Sequence, residues 1–552
     1  MHIFKINVSF LSTPIIYHSF ASDKYYTAMK RLCILALAVL ASCGKDLPSG
    51  PDPRAPYGDV SHGMIELGEK LEDPYAVENM EKALRSLFPT KAERTDIHPT
   101  DLYVRFLPRT DDDLTTLRTA GLYLLDHPMD YRIVKEGDWY QDPSLEEGSI
   151  TWQYAVVDKD FEFPEGIGYE TLGRCYISEH DPATRAGGID WAAVERESFR
   201  LTGNGDLLAP LTKAEPLAPS GRITLSDPLF AGGKPVGVSG VTVACNVFTK
   251  ICVTHTDRDG YYTMDKTFTS DPRYRLVFQN EKGFSVGLNL ILVPASVSTL
   301  GVGGPGGIDY NVTEEDDGAL MRRTAVNNAA YDYYSRCIPT DLDITPPPGD
   351  LRIWIIPFLE NSSAPMLHHG AGLDYKYIKE YAEEYAPVIR MFLPDITIGT
   401  KVAGGFSDIY EYTVHELAHA SHFTKVCSDG TSWWTAFITY IITSYIHDRL
   451  TPYGHGTGEG AGNCAVGEMW AYFLGSTIFK DRYGGGMPVY PPELWFRPEI
   501  LGYLYERGST RSEIFRVLRP EVNSVEALRK ALVEMYPERG DLITDTFGKY
   551  GR

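Results

Sequence analysis

Apolar residues recur first at helical spacing: Ile65, Leu67 and Leu71, then Met80, Ala83, Leu84 and Leu87, which predicts helix across Met64 to Leu87. Leu102 to Leu107 is a continuous strand-like run, and Asp111 to Ala120 predicts a helix with acids in its first turn, where the dipole favours them. Leu122 to Leu125 and Tyr131 to Val134 read as returning strands. Together these define an α+β amino-terminal domain, 59–215, with no evident chemistry. From Gly221 to Val293 the pattern changes to β-branched and polar residues broken by turns. Strands are expected at Arg222 to Leu225, Val241 to Cys245, Ile251 to Thr256, Tyr261 to Thr263 and Tyr274 to Gln279, within a middle domain of 216–298. Leu300 to Gly307 is glycine-rich and predicts a flexible linker within 299–308. Beyond it, 309–552 reads as an α-rich α+β domain. Helices are expected over Ala319 to Arg336, Asp374 to Phe392, Ser407 to Thr424 and Trp433 to Ile446, with strands at Leu351 to Phe358 and Asp395 to Gly399. The fold class is therefore multidomain α+β, without internal repeats.

Length and charge narrow the function classes. A chain of 552 residues is too long for one core. The net charge of −22 excludes nucleic acid as a partner, because phosphate binding needs clustered Lys and Arg. It also excludes a polybasic membrane patch. An attachment signal lies near the start instead. Met29, Lys30 and Arg31 precede the apolar run Leu32 to Leu40, and small residues lead to a cysteine in Leu40-Ala41-Ser42-Cys43. Cationic head, short apolar stretch and small-residue cleavage site make a secretory signal, 29–42, too short to span a bilayer. Its closing cysteine resembles the bacterial lipobox. That resemblance implies lipidation of Cys43 and a place in the bacterial cell envelope, anchored at the outer membrane and facing the periplasm or the surface. Residues 43–58, rich in Gly, Pro, Ser and Asp, read as a tether, and 1–28 read as a mis-assigned start.

The middle region carries Gly240-Val241-Thr242-Val243 and Thr256-Asp257-Arg258-Asp259-Gly260-Tyr261-Tyr262. These segments resemble the carboxypeptidase regulatory-like (transthyretin-like) β-sandwich family, which implies a supporting, non-catalytic domain. The acidic turn reads as a tight turn in preference to a calcium site. Cys245 and Cys252 either face one another across a hairpin or remain buried thiols, and the same alternatives hold for Cys427 and Cys464.

The chemistry sits in His415-Glu416-Leu417-Ala418-His419. Residues four apart share one helical face, so both imidazoles can reach one zinc while Glu416 projects beside it. A strand at Asp395 to Gly399 precedes the motif, where zincins place the edge strand that pairs with extended substrate. The metzincin pattern fails, since its third ligand falls on Lys425. Gly467-Glu468-Met469-Trp470-Ala471-Tyr472-Phe473-Leu474-Gly475 instead resembles the second ligand helix of gluzincins, which implies Glu468 as the third ligand to Zn2+. His422 lies on the motif's face but is about 10.5 Å along the axis from His415, too far for an easy shared tetrahedral site. It reads as a neighbour of the ligands or a surface histidine. The gluzincin resemblance implies a zinc-dependent peptidase acting on peptide or protein substrates. A zinc-polarised water attacks, Glu416 is general base, and a Tyr or His steadies the oxyanion. Tyr453, His455 and Tyr472 are the candidates for that last role. His368-His369-Gly370 reads as a solvated turn, with a substrate loop or second metal site as alternatives. The rival function is a catalytically silent zincin-fold surface lipoprotein that binds protein or glycan. Oligomeric state is not legible in the sequence.

Overall fold

A computed structural model describes residues 64–551 except 93–94, 96, 138, 146–148, 186–187, 211–217, 288–294, 317, 372–393, 449–452 and 492–493. The signal, Cys43, the tether and the helix expected over Asp374 to Phe392 lie outside the described residues. Among the described residues no helix is long and apolar enough to cross a membrane.

The first predicted helix splits in two. Glu66–Lys70 is strand β1, and helix α1 begins only at Val77 (Val77–Leu87). Glu66–Lys70 pairs antiparallel with Tyr131–Lys135, and Pro74 disfavours helix in the residue before it. In α1 the buried Met80, Ala83 and Leu84 keep the expected face. Strand β2 (Asp101–Leu107) leads into α2 (Asp111–Thr119), which is started by a reciprocal cap between Thr110 and Asp113. β3 (Tyr131–Lys135) pairs with β1, while β4 (Gln153–Asp158) and β5 (Gly168–Cys175) flank β2 in an antiparallel sheet. Of the strand expected at Leu122 to Leu125, only Leu125 forms a bridge, to Tyr154. Helix α3 (Trp191–Leu201) closes this part.

Nine strands follow: β6 (Ser220–Leu225), β7 (Val236–Gly237), β8 (Val241–Val247), β9 (Lys250–His255), β10 (Tyr261–Thr263), β11 (Arg273–Asn280), β12 (Ser285–Val286), β13 (Val297–Val302) and β14 (Tyr310–Val312). β6, β7, β10 and β14 make one sheet. The other runs β16-β15-β12-β11-β8-β9, with β13 also on β11, where β15 is Arg352–Ile356 and β16 is Ile396–Gly399. The acidic turn is a plain tight turn: Asp257 Oδ1 accepts from the backbone N–H of Asp259 and of Tyr261. Gly260 is required there twice over, by its φ of 84° and because a Cβ would lie 2.1 Å from the Ile223 carbonyl oxygen.

Two expectations are corrected. Leu300 to Val302, read as flexible linker, belong to β13 and pair with β11, because that edge offered unpaired backbone groups that glycine does not forbid. The seven-stranded sheet and one continuous hydrophobic core, from Tyr75 through Phe547, cross the boundary placed at that linker. β16 is also not the outer edge. Ser363 exchanges two backbone hydrogen bonds with Thr397, at 2.9 and 2.8 Å, in an antiparallel bridge. The close approach depends on Gly399, whose Cβ would sit 2.3 Å from the Asn361 carbonyl oxygen. The segment around Ser363 is therefore the rim of the sheet.

The amino-terminal part is clamped to the middle strands by a buried cation. Lys250 Nζ lies 2.8 Å from Glu179 and 2.9 Å from Glu195, and Tyr75 and Thr269 donate to Glu195 at 2.9 and 2.7 Å. Burial pushes the ammonium pKa down, but Glu195 and Glu179 outweigh it and hold it above the ordinary lysine value.

Helices make up the rest: α4 (Gly318–Arg336), α5 (Phe406–Val426), α6 (Ser432–Asp448), α7 (Ala461–Tyr483), α8 (Glu499–Glu506), α9 (Arg511–Val517), α10 (Val525–Met535) and α11 (Gly540–Lys549). The chain is thus α+β, with the motif helix α5 following directly on the parallel pair β15–β16.

Candidate metal centre

Helix α5 starts where Glu314 accepts the Phe406 backbone N–H at 2.9 Å, a carboxylate on the positive end of the helix dipole. Gly405 makes room, since a Cβ there would collide with that carboxylate. The helix carries His415, Glu416, His419 and His422 into the core, all 4% exposed or less. Helix α7 lies against it. The Trp470 indole N–H donates to the Ala418 carbonyl at 3.0 Å, and Gly475 faces His415 so closely that a Cβ would stand 3.2 Å from its Cα. From α4, the Tyr333 hydroxyl donates to Ser421 Oγ at 2.8 Å. The two α7 contacts fix where Glu468 falls along the motif, and the Tyr333 bond holds α5 from its other side.

It falls between the two histidines. Glu468 Oε2 is 3.7 Å from His415 Nε2, and Oε1 is 3.5 Å from His419 Nε2. One ligand atom from each residue fits within a span of 4.8 Å. Tetrahedral zinc with bonds of about 2.0–2.1 Å places its ligand atoms about 3.4 Å apart, so the separations suit one ion. A cation suits this environment, because Glu468 is completely buried and a positive partner offsets the cost of a carboxylate there. Neither ring nitrogen of His419 makes a hydrogen bond among the described residues. The donor set therefore fits a divalent metal.

Glu416, 2% exposed, shares the helical turn with the ligands and is not itself one of the converging three. Tyr472 sets its ring edge-on to His415 at 4.7 Å between centroids, and its hydroxyl is 3.1 Å from that of Tyr453. Both tyrosines are buried, whereas His455 is exposed on the glycine-rich loop and is not brought into the closed centre. His422 is outside the ligand group, buried beside Trp433 with ring centroids 4.6 Å apart. Burial, with His419 and Lys425 adding to it, pushes its imidazole well below the ordinary range and keeps it neutral.

The His368-His369 turn is partly buried and pinned by acids. His369 Nδ1 is 2.9 Å from the fully buried Asp395, and His368 Nε2 is 3.2 Å from Asp350. His369 thus ties the turn to the residue before β16 and His368 ties it to the loop before β15, and neither joins a metal group among the described residues. The six described cysteines are free; Cys245 and Cys252 are directly opposed on β8 and β9 as thiols. A cavity of about 570 Å³ lies away from the metal centre, between the amino-terminal part and β8–β11, lined by Asp101, His180, His255 and Lys266. The aromatic side chains of α6 around His419 were not read from the sequence as part of the site, whereas Gly475, which ends the ligand-helix motif, makes the close contact with α5.

Fold and site together define an α+β chain with a buried two-histidine, one-carboxylate group suited to a metal ion. No protein-family model matches the chain, and no curated protein or solved structure is significantly similar to it.

Proposed function

We propose that this chain is a zinc-dependent peptidase of the gluzincin type, with a zincin-like carboxy-terminal domain and a transthyretin-like middle domain. The single observation that carries the reading is the convergence of His415, His419 and the distant Glu468 within 4.8 Å. When bound, zinc supplies Lewis-acid activation of a water and of the scissile carbonyl. Glu416 would serve as general base, taking a proton from the attacking water and returning it to the leaving amine. Tyr472, beside His415, donates to the developing oxyanion, with Tyr453 as its hydroxyl partner. An extended peptide adds to the rim segment around Ser363, a sheet edge in the mode of strand addition.

The test is metal analysis of the soluble fragment beginning after Cys43, with peptide-library cleavage by that fragment and by Glu416→Gln. About one zinc per chain is expected in both proteins, with cleavage reduced at least about a hundredfold in the variant. Zinc without cleavage by the unaltered fragment favours the silent binding module, and absence of stoichiometric zinc overturns both readings.

The lipobox-like segment supports lipid anchoring in the bacterial envelope through Cys43. The full chain is expected to partition into detergent and Cys43→Ser to lose that property. Equal partitioning of the two proteins defeats the anchor.

A further inference from the structure

The hairpin that carries the buried lysine clamp also sets two cysteines face to face. β8 and β9 are joined by only Phe248 and Thr249, with Phe248 at φ 48° and the Asn246 side-chain amide donating to its carbonyl oxygen at 3.1 Å. A two-residue turn fixes the register of the strands it joins. Val247 therefore opposes Lys250, Asn246 opposes Ile251, and Cys245 opposes Cys252. Directly opposed residues point their side chains to one face, here the hydrophobic core, where Cys245 is 0% and Cys252 1% exposed.

Two buried thiols side by side can serve as apolar filling, as metal ligands or as a disulfide. Metal binding needs further donors, and among the described residues neither cysteine joins a metal-ligating group. The separation suits the bond. Opposed residues of an antiparallel pair stand about 4.5–5.5 Å apart between Cα atoms, inside the span of roughly 4.4–6.8 Å that disulfides bridge. Their Cβ atoms are about 4.5–5.5 Å apart, against roughly 3.5–4.5 Å in a disulfide, so the strands need approach by about 1 Å or less at that rung.

We propose that Cys245 and Cys252 form a disulfide across the β8–β9 hairpin, made while the chain folds in an oxidising compartment by exchange with a small-molecule or protein disulfide. One cysteine thiolate attacks a sulfur of the donor, RSSR, forming a mixed disulfide and expelling one donor thiolate. The other cysteine thiolate attacks the cysteine sulfur of that mixed disulfide and expels the second. Two electrons and the two thiol protons thus pass to the donor, which leaves as two RSH. Exchange precedes closure of the core. In the folded chain the hydrogen bond with Cys252, together with burial, pushes the Cys245 thiol up, away from the reactive thiolate. The bond closes a loop over Asn246 to Ile251, whose tip presents Thr249 to Asp73 at 2.7 Å and Lys250 to Glu179 and Glu195. It therefore braces the hairpin that clamps the amino-terminal part. The compartment, though not the pairing, rests on the export reading of residues 29–42.

Trypsin supplies the test, because it cuts between the two cysteines, after Lys250. Residues 223–250 and 251–258 are then joined only by the proposed bond. The full chain, expressed with its signal in a bacterium and alkylated on lysis without reductant, is expected to give the joined pair by mass spectrometry. Dithiothreitol should split that pair and lower the urea midpoint of the intact chain by roughly 0.5 M, as loss of a small-loop disulfide implies. The midpoint of the Cys245→Ala/Cys252→Ala chain is expected not to move with dithiothreitol. The pairing is overturned if both peptides are recovered separately alkylated from that chain and also from the full chain refolded in a buffer of reduced and oxidised glutathione. Either cysteine bonded elsewhere overturns it too, and a midpoint that ignores dithiothreitol in a crosslinked chain overturns the bracing. If refolding in glutathione closes the bond while the expressed chain keeps both thiols, the disulfide stands and the export reading falls.

Discussion

Replacing Glu468 by Ala is expected to weaken zinc binding by at least about a hundredfold. The reason is arithmetic on a three-ligand site. Complete protein zinc sites hold the ion with about 10–16 kcal/mol, so one ligand is worth roughly 3 kcal/mol or more, and each 1.4 kcal/mol is tenfold. Competition with a chromogenic chelator reads the loss directly. His422→Ala is the control: its ring packs against Trp433 and lies outside the converging group, so zinc affinity is expected to stay within about threefold. Unchanged zinc binding in Glu468→Ala, with a loss in His422→Ala, would move the third ligand to the motif helix.

The second large effect lies far from the metal. Lys250→Met removes the cation between Glu179 and Glu195 but keeps most of the apolar stem. It leaves two acids facing each other without compensation, one of them 6% exposed. Breaking a buried pair from one side costs about 3–5 kcal/mol, and the urea midpoint of the transition that releases the amino-terminal part should fall accordingly. Adding Glu195→Gln removes one of the stranded charges and should recover part of the loss, as a double-mutant cycle on residues in contact requires. Lys530, in a surface pair with Glu534 and largely exposed, supplies the contrast: Lys530→Met is expected to change stability by no more than about 0.5 kcal/mol. A loss from Lys250→Met no larger than that would mean the clamp is held by its apolar contacts, with the ion pairs incidental.

These two residues differ in how far their sequence surroundings disclosed them. Glu468 was marked by its neighbours, a small residue and aromatics following an acid downstream of two histidines. Lys250 was one lysine in a β hairpin. Nothing local distinguishes a lysine pointing at solvent from one driven between two acids of another layer, because the acids lie at 179 and 195 and meet it only through the fold.

Local pattern settled much about this protein. Helical spacing specified α5 and α6 to within a few residues, and alternation located β2, β8, β9 and β11, because backbone propensity and the burial of one face act over a few residues. At Met64 to Leu87 the helical spacing chose wrongly, and Pro74 and pairing with β3 decided. Tertiary structure alone determined that Leu300 to Val302 add to a sheet, that the rim lies at Ser363 and not at β16, and that α6 packs Trp434 and Phe437 beside His419. Those facts depend on unpaired backbone groups, close approaches at glycine, and indole donors reaching carbonyls far away in the chain. Hydrogen-bond satisfaction and close packing are properties of the assembled core, so no window of neighbouring residues contains them.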